Sequence, residues 1–490
     1  MAATTAQNAA SDFILFGTKG DLAKRKLLPA LYQLEKANLL CSDTRIIGVA
    51  RDSLSTEQYQ QFVFDSLQQF IKQPIEQEVW QSLQTKLIYR QIDLNNLDEF
   101  SKLKNLVDVT QRVPVCYFAT PPSLYAAICK GLAAAELAIP ITRVVLEKPI
   151  GHDLASSKQI NDHVAQYFFE QQIYRIDHYL GKETVLNLLA LRFANAIFAS
   201  NWDHNSIDHV QITVAEAVGV EGRWSYYDDA GQMRDMVQNH LLQVLSLIAM
   251  EPPARLDADS IRDEKLKVLK ALRRIDASNI QQKTVRGQYA AGFVLGNAVP
   301  GYLQEVGAKA NSSAETFVAL KVDIDNWRWA GVPFYLRTGK RMASKLSEVV
   351  ICFKPQPHNI FHETYQHLPA NKLIIRLQPD EGVEIQVLNK IPGLGETMRL
   401  QESKLDLSFD ETFKSQRIAD AYERLLLEAM LGNQYLFVRR DEVEQAWKWV
   451  DSIMNAWQQS NEPPKSYPAG SWGPVASISM MARDNRNWEE

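Results

Sequence analysis

From Asp12 to about Leu180 the chain alternates short β-rich apolar runs with longer helical stretches, and this rhythm limits the fold more than any other feature. The runs are DFILF (12–16), RIIGVA (45–50), KLIYRQIDL (86–94), VPVCYFAT (113–120), RVVLE (143–147) and QIYRID (172–177). Strands separated by helical stretches form βαβ units around a parallel sheet. After about Lys182 the rhythm changes. HVQITVAEAVGV (209–220), TFVALKVDID (316–325), EVVICFKP (348–355), KLIIRLQP (372–379) and VEIQVL (383–388) read as strands, several of them alternating. That pattern predicts a large, mainly antiparallel sheet with helices packed on one side. A chain of 490 residues, 46% hydrophobic, exceeds what one core usually fills, so two domains are expected, over 12–182 and 183–480. The Pro-, Ser- and Gly-rich stretch after about Ser460 reads as irregular.

Charge and cysteine usage narrow the function classes. The formal net charge is −5, with 53 basic and 58 acidic residues interspersed, which argues against a sequence-independent nucleic-acid binder. Any cationic site must be local. Cys41, Cys116, Cys129 and Cys352 are scattered without a CxxC pair, which suits a reducing, cytoplasmic compartment. MAATTAQNAASD has no basic or apolar leader pattern, and no apolar run approaches the roughly twenty residues of a membrane span. The expectation is a protein without membrane or nucleic-acid partners.

The first strand leads into GTKGDLAKRKLLPALYQL. A Rossmann dinucleotide turn needs glycine where the backbone approaches the pyrophosphate and a small residue where helix meets strand. Gly20 and Ala23 hold the second and third offsets of that pattern, but Thr18 falls on the first, with Gly17 one residue early. The turn therefore reads either as a phosphate cradle built on Gly17, Lys19, Gly20, Asp21 and Leu22, or as a plain strand-turn-helix. Arg51 closes the second strand, where an arginine accommodates a 2′-phosphate and an acid would hold a ribose hydroxyl. With Lys19 it points to NADP, while Asp52 beside it leaves room for NAD; either cation alone also reads as a solvated surface charge.

Four further stretches carry chemistry. LEKPIG sits at the end of the fifth strand, and Lys148 before Pro149 suggests a constrained turn, with a cis peptide among its forms, aiming an ammonium at bound ligands. YRIDHYLGKE (174–183) crowds an acid, a histidine, a tyrosine and a lysine at a strand's end, where open α/β sheets bind ligands. His178, Tyr179 and Lys182 together suit a phosphate. Asp177 and His178 are adjacent on a strand and so face opposite ways, which leaves Asp177 for another partner. In MRDMVQNHLLQVLSLIAM (233–250) His240 lies on the apolar stripe of a helical wheel. It is either a satisfied core histidine or the imidazole that Asp177 orients as a general base. VPFYLRTGKRM groups Arg337, Lys340 and Arg341 about a Thr-Gly turn, either an anion or sugar clamp or a basic hairpin in solvent. HNIFHETYQH is no zinc motif, because His362 and His367 are five residues apart and leave a shared helical face.

GTKGDLAKRKLLPALYQL, EKPIG, RIDHYLGKE, MRDMVQNHLLQ, VPFYLRTGKRM, YERLLLEAM and SWGP, in this order along nearly the whole chain, resemble the glucose-6-phosphate dehydrogenase family. The family commonly has Ser or Thr where Lys19 stands. The resemblance implies an α/β Rossmann domain followed by an α+β domain with a large mainly antiparallel sheet. It implies NADP as cofactor and glucose 6-phosphate as substrate, oxidised at C1 without a metal. His240 is then the base oriented by Asp177, and His178, Tyr179 and Lys182 hold the phosphate. Glu216, Asp235, Lys340 and Lys345 contact the sugar or its phosphate, and Lys148 faces both ligands. A homodimer or dimer of dimers through the large sheet is implied as well. An NADP-linked sugar oxidoreductase of the glucose-fructose oxidoreductase type also carries EKP, and a nucleotide-sensing regulator without turnover is the remaining rival.

Overall fold

The computed structural model describes residues 10–394, 398–413 and 417–489. The chain divides into two compact units, the first made of Met1–Lys182, Pro253–Asp263 and Ile418–Glu444, and the second of Glu183–Pro252, Glu264–Arg417 and Gln445–Glu490.

The first unit holds a seven-stranded sheet. Its strands β1 (Ser11–Phe16), β2 (Arg45–Ala50), β3 (Leu87–Gln91), β4 (Val113–Phe118), β5 (Arg143–Leu146) and β6 (Ile173–Ile176) lie in the order β6-β5-β4-β1-β2-β3. Every pairing among them is parallel. All six residues of β1 are buried, which is why Phe13–Phe16 are continuously apolar, a parallel sheet being covered on both faces, and why Asp12 at its start is paired with Arg45 at 2.7 Å. A two-residue strand, Phe437–Val438, completes the edge by pairing antiparallel with β6. The helix Ala421–Leu431 that precedes it starts at an Asp420/Glu423 capping box and stops at left-handed Gly432. Arg143 ties it to β5 by donating to Ala429 O at 3.0 Å.

The second unit holds β7 (Ile207–Ala215), β8 (Thr284–Ala290), the small hairpin β9 (Gly292–Val294) and β10 (Asn297–Val299), β11 (Phe317–Val322), β12 (Phe334–Gly339), β13 (Leu346–Phe353), β14 (Lys372–Gln378), β15 (Gly382–Lys390) and β16 (Leu400–Ser408). The large sheet runs β16-β15-β14-β13-β7-β12-β11-β8 and ends on a ninth strand, Lys465–Pro468. It is antiparallel except where β12 meets β7 and where the ninth strand meets β8. The stretch after Ser460 is therefore not irregular: it supplies a strand and the helix Val475–Ala482. The edge strand β16 is mostly exposed and carries Glu402, Lys404 and Asp406, charges that discourage pairing with foreign strands.

Residues 484–489 cross the large sheet. Asp484 pairs with Lys321 at 2.5 Å, Arg486 with Asp208 at 2.8 Å and Glu489 with Lys372 at 2.7 Å. Trp488 is buried and donates to Ser477 O at 3.1 Å. Among the described residues no helix is long and apolar enough to cross a membrane.

Candidate active site

The turn after β1 is built by Gly17, not by the residue at the first motif offset. Gly17 has φ +80°, donates to Val49 O at 3.0 Å, and a Cβ there would stand 2.4 Å from Ala119 O. Only glycine fits. Thr18 turns inward, is fully buried and shares a 2.6 Å hydrogen bond with Tyr59 Oη. Gly20 is exposed and closes the turn by donating to Gly17 O at 2.9 Å. A π-helical turn, Ala23–Leu27, then runs into the α-helix Leu28–Lys36. Leu22 is half-buried, and Asp21 pairs with Arg25 at 2.8 Å.

Lys19 reaches Asp52 at 3.0 Å, so the turn's ammonium lies next to exposed Arg51 at the end of β2. Hydrogen bonding to Lys19 holds the Asp52 carboxyl below its usual range. A turn with no side chain at Gly17 or Gly20, flanked by two cations at the end of β2, fits a dinucleotide carrying a 2′-phosphate.

At the end of β5 the Lys148–Pro149 peptide is cis and Lys148 is half-buried. Glu147 just before it is buried against three tyrosines. Tyr117 Oη donates to its carboxylate, Tyr125 Oη donates to its carbonyl at 2.9 Å, and Tyr422 also bonds the carboxylate. Burial pushes the Glu147 carboxyl up.

The strand β6 stops at Ile176, so Asp177 is not a strand residue. It caps the short 3₁₀ turn His178–Gly181, its Oδ1 accepting from Tyr179 N at 2.9 Å. The alternation expected between Asp177 and His178 gives way to this cap. His178 stacks on Tyr422 with ring centroids 6.3 Å apart and planes within 10°. Lys182 Nζ lies 3.6 Å above the Tyr179 ring, and both residues are buried. Tyr422 belongs to the returning helix; the sequence shows it inside YERLLLEAM but gives no sign of its neighbours.

In the second unit, parallel pairing sets Ala215 of β7 opposite Gly339 of β12, so the residues that follow them are neighbours. These are Glu216 and Lys340, with Nζ 2.6 Å from Glu216 Oε2. Asp235, buried, lies 3.9 Å from the same ammonium, and Tyr226 Oη donates to it at 3.5 Å. Lys345 is exposed just before β13.

Asp235 and His240 sit on a π-helical segment, Met233–Leu241, which runs into the α-helix Leu242–Ala249. His240 is fully buried. A helical wheel at 100° per residue does not apply to a π-turn, a form found often at functional sites.

Arg337 does not join this cluster. The strand β12 continues through Gly339, so there is no Thr-Gly hairpin, and Arg337 is fully buried between Trp472 and Trp488, at 4.8 and 4.5 Å from their ring centres. Arg341 turns to Glu305 at 3.7 Å.

The family model described as "Glucose-6-phosphate dehydrogenase, NAD binding domain" matches residues 14–187, and that described as "Glucose-6-phosphate dehydrogenase, C-terminal domain" matches 189–489. A glucose-6-phosphate 1-dehydrogenase from Dickeya dadantii is 62% identical over 488 residues, covering 100% of this chain and 99% of its own. One from Rhizobium meliloti is 51% identical, with 98% and 97% covered. A solved glucose-6-phosphate dehydrogenase in complex with its substrate glucose-6-phosphate superposes with a TM-score of 0.90 at 34% identity, covering 99% of this chain and 100% of that one. Both units are thus accounted for by one family along their full length, and the chain belongs to the glucose-6-phosphate dehydrogenases.

Proposed function

We propose that this chain oxidises D-glucose 6-phosphate at C1 to 6-phospho-D-glucono-1,5-lactone with NADP as cofactor, the first step of the oxidative pentose phosphate pathway. One observation carries the reading: buried Lys182 and Tyr179 stand in one short turn beside half-buried His178, a donor set for a phosphate on an end-to-end relative of these dehydrogenases. The glucose-fructose oxidoreductase alternative is not favoured, since both family models and the full-length relatives belong to the dehydrogenase.

His240 Nε2 or Nδ1 accepts the C1 hydroxyl proton, and Asp177 accepts the other imidazole N–H, fixing the tautomer and stabilising the imidazolium. Complete burial suits His240 to this task, because a dry site strengthens the Asp–His interaction. His178, Tyr179 and Lys182 bind the 6-phosphate. The carboxylates of Glu216 and Asp235 accept sugar hydroxyls, while Lys340 and Lys345 donate to the sugar or its phosphate. Gly17, Lys19, Gly20, Asp21, Leu22 and Arg51 hold the cofactor, with Lys148 between it and the substrate. Bound NADP supplies the hydride acceptor. Assembly as a homodimer or dimer of dimers rests on the family resemblance alone. A cytoplasmic site is supported by the four free cysteines.

The test is the absorbance of reduced nicotinamide with purified protein. Glucose 6-phosphate with NADP should react, and unphosphorylated glucose should react far more slowly. Equal rates with both sugars would refute the phosphate reading.

A further inference from the structure

We infer that Glu315 is a positioning residue, whose buried carboxylate fixes the start of the π-helical segment bearing Asp235 and His240. The inference rests on the roles proposed for those two residues.

Glu315 lies two residues before β11 and is 4% exposed. Its side chain accepts the Met233 N–H at 3.0 Å, and its main-chain carbonyl accepts the Gln232 N–H at 2.9 Å. One residue thus satisfies two consecutive amides at the start of the segment, where helical N–H groups have no partner of their own. The fit is tight. At Gly231 (φ +67°) a Cβ would stand 2.4 Å from Glu315 Oε1, so the chain enters the segment only with no side chain there.

Two further connections spread this anchor through the site. Tyr227 Oη donates to Gln232 Oε1 at 2.5 Å and to Glu315 O at 3.2 Å, while Gln232 Nε2 donates to Thr338 Oγ1 at 2.8 Å. The next residue, Thr316, accepts the backbone N–H of Lys340 at 2.9 Å. The dipeptide 315–316 therefore sets both the segment carrying Asp235 and His240 and the backbone of Lys340, whose ammonium faces Asp235 at 3.9 Å. Burial raises the Glu315 carboxyl, and a protonated acid keeps the acceptor oxygen that Met233 needs.

A glutamine keeps that acceptor, whereas alanine and aspartate withdraw it. Misplacement of reacting groups by about 1 Å can cost on the order of 10²-fold. Glu315→Ala should therefore lower kcat about 10- to 100-fold and raise KM for glucose 6-phosphate, with KM for NADP within about twofold of wild type. Amide hydrogen exchange over 233–241 should speed up, and Glu315→Gln should restore both readouts. If Glu315→Ala does not fold, Glu315→Asp carries the test with the same expected signs.

Rates and exchange that match wild type in the folded alanine or aspartate variant would overturn the inference, as would a glutamine variant no better than alanine. His240→Asn in parallel separates the readings. If it keeps turnover, the base assignment fails, and the exchange measurement still decides whether Glu315 anchors the segment.

Discussion

The turn after β6 and the cluster after β7 and β12 are built in opposite ways. In the first, Asp177 to Lys182 are consecutive, and a carboxylate cap shapes the loop that presents one imidazole, one phenol and one ammonium. In the second, Glu216 and Lys340 are 124 residues apart in the chain and meet only through strand register, with two carboxylates around one ammonium. The charge balance differs accordingly. The loop favours an anion, and the cluster, richer in acceptors, favours hydroxyl groups. A short loop can thus present donors for an anion locally, while a set of acceptors for hydroxyl groups needs a surface assembled by the sheet.

Breaking each side of this comparison should give effects of graded size. The largest belongs to His240. His240→Asn should keep the melting temperature and ligand binding but lower kcat about 10²- to 10⁴-fold, the usual worth of a positioned base. If Asp177 orients His240 as proposed, Asp177→Asn should also be slow, and the double variant little worse than His240→Asn, as for groups that act as a unit. A destabilised protein with normal turnover per folded molecule would make His240 a core residue.

Lys182→Ala sharpens the loop side. Loss of a charged hydrogen bond costs about 1.5–3 kcal/mol, so KM for glucose 6-phosphate should rise tenfold or more while any reaction with free glucose is unchanged. Should both sugars suffer alike, Lys182 does not bind phosphate.

Arg51 is exposed, so its contribution to cofactor choice should be smaller. Arg51→Ala should weaken NADP about three- to tenfold relative to NAD, read from the two KM values. Equal losses would assign the 2′-phosphate elsewhere.

An effect of another kind, on stability and not on activity, lies within the sheet that supports the cluster. Burial raises the Glu348 carboxyl from 4.5 to about 7, with Arg337 opposing and Glu489 and Glu384 adding to the rise. Folding then favours the protonated acid. That contribution is complete below pH 4.5 and is lost as pH climbs to about 7. Glu348→Gln should therefore leave stability unchanged in acid and raise it by about 1–3 kcal/mol above neutrality, as followed by denaturant melts at several pH values.

Much of the first unit was readable because the middles of parallel strands are apolar runs spaced by helices, as in Phe13–Phe16 and Ile46–Val49. The loop at 177–182 was readable because its groups are consecutive. Strand Phe437–Val438 was not, since two residues carry no period, and their place beside β6 is fixed by partners far back in the chain. FYLRTG of β12 read as the approach to a hairpin because its Thr-Gly pair resembles a turn, yet pairing on both sides keeps it extended. Glu315 offered no signal at all: a single acid before a strand reveals its partners only when Gly231 and Met233 are in place.

The strap at 484–489 also bears on how the protein is made. Arg486 bonds Asp208 across 278 positions, and the edge strand at 437–438 closes a sheet whose other members are finished by residue 176. Contacts of such long sequence separation form late. During synthesis both sheets therefore wait, with a face or an edge uncovered, for segments made long after most of their strands. The interval is one in which a chaperone holding the nascent chain would have surface to bind.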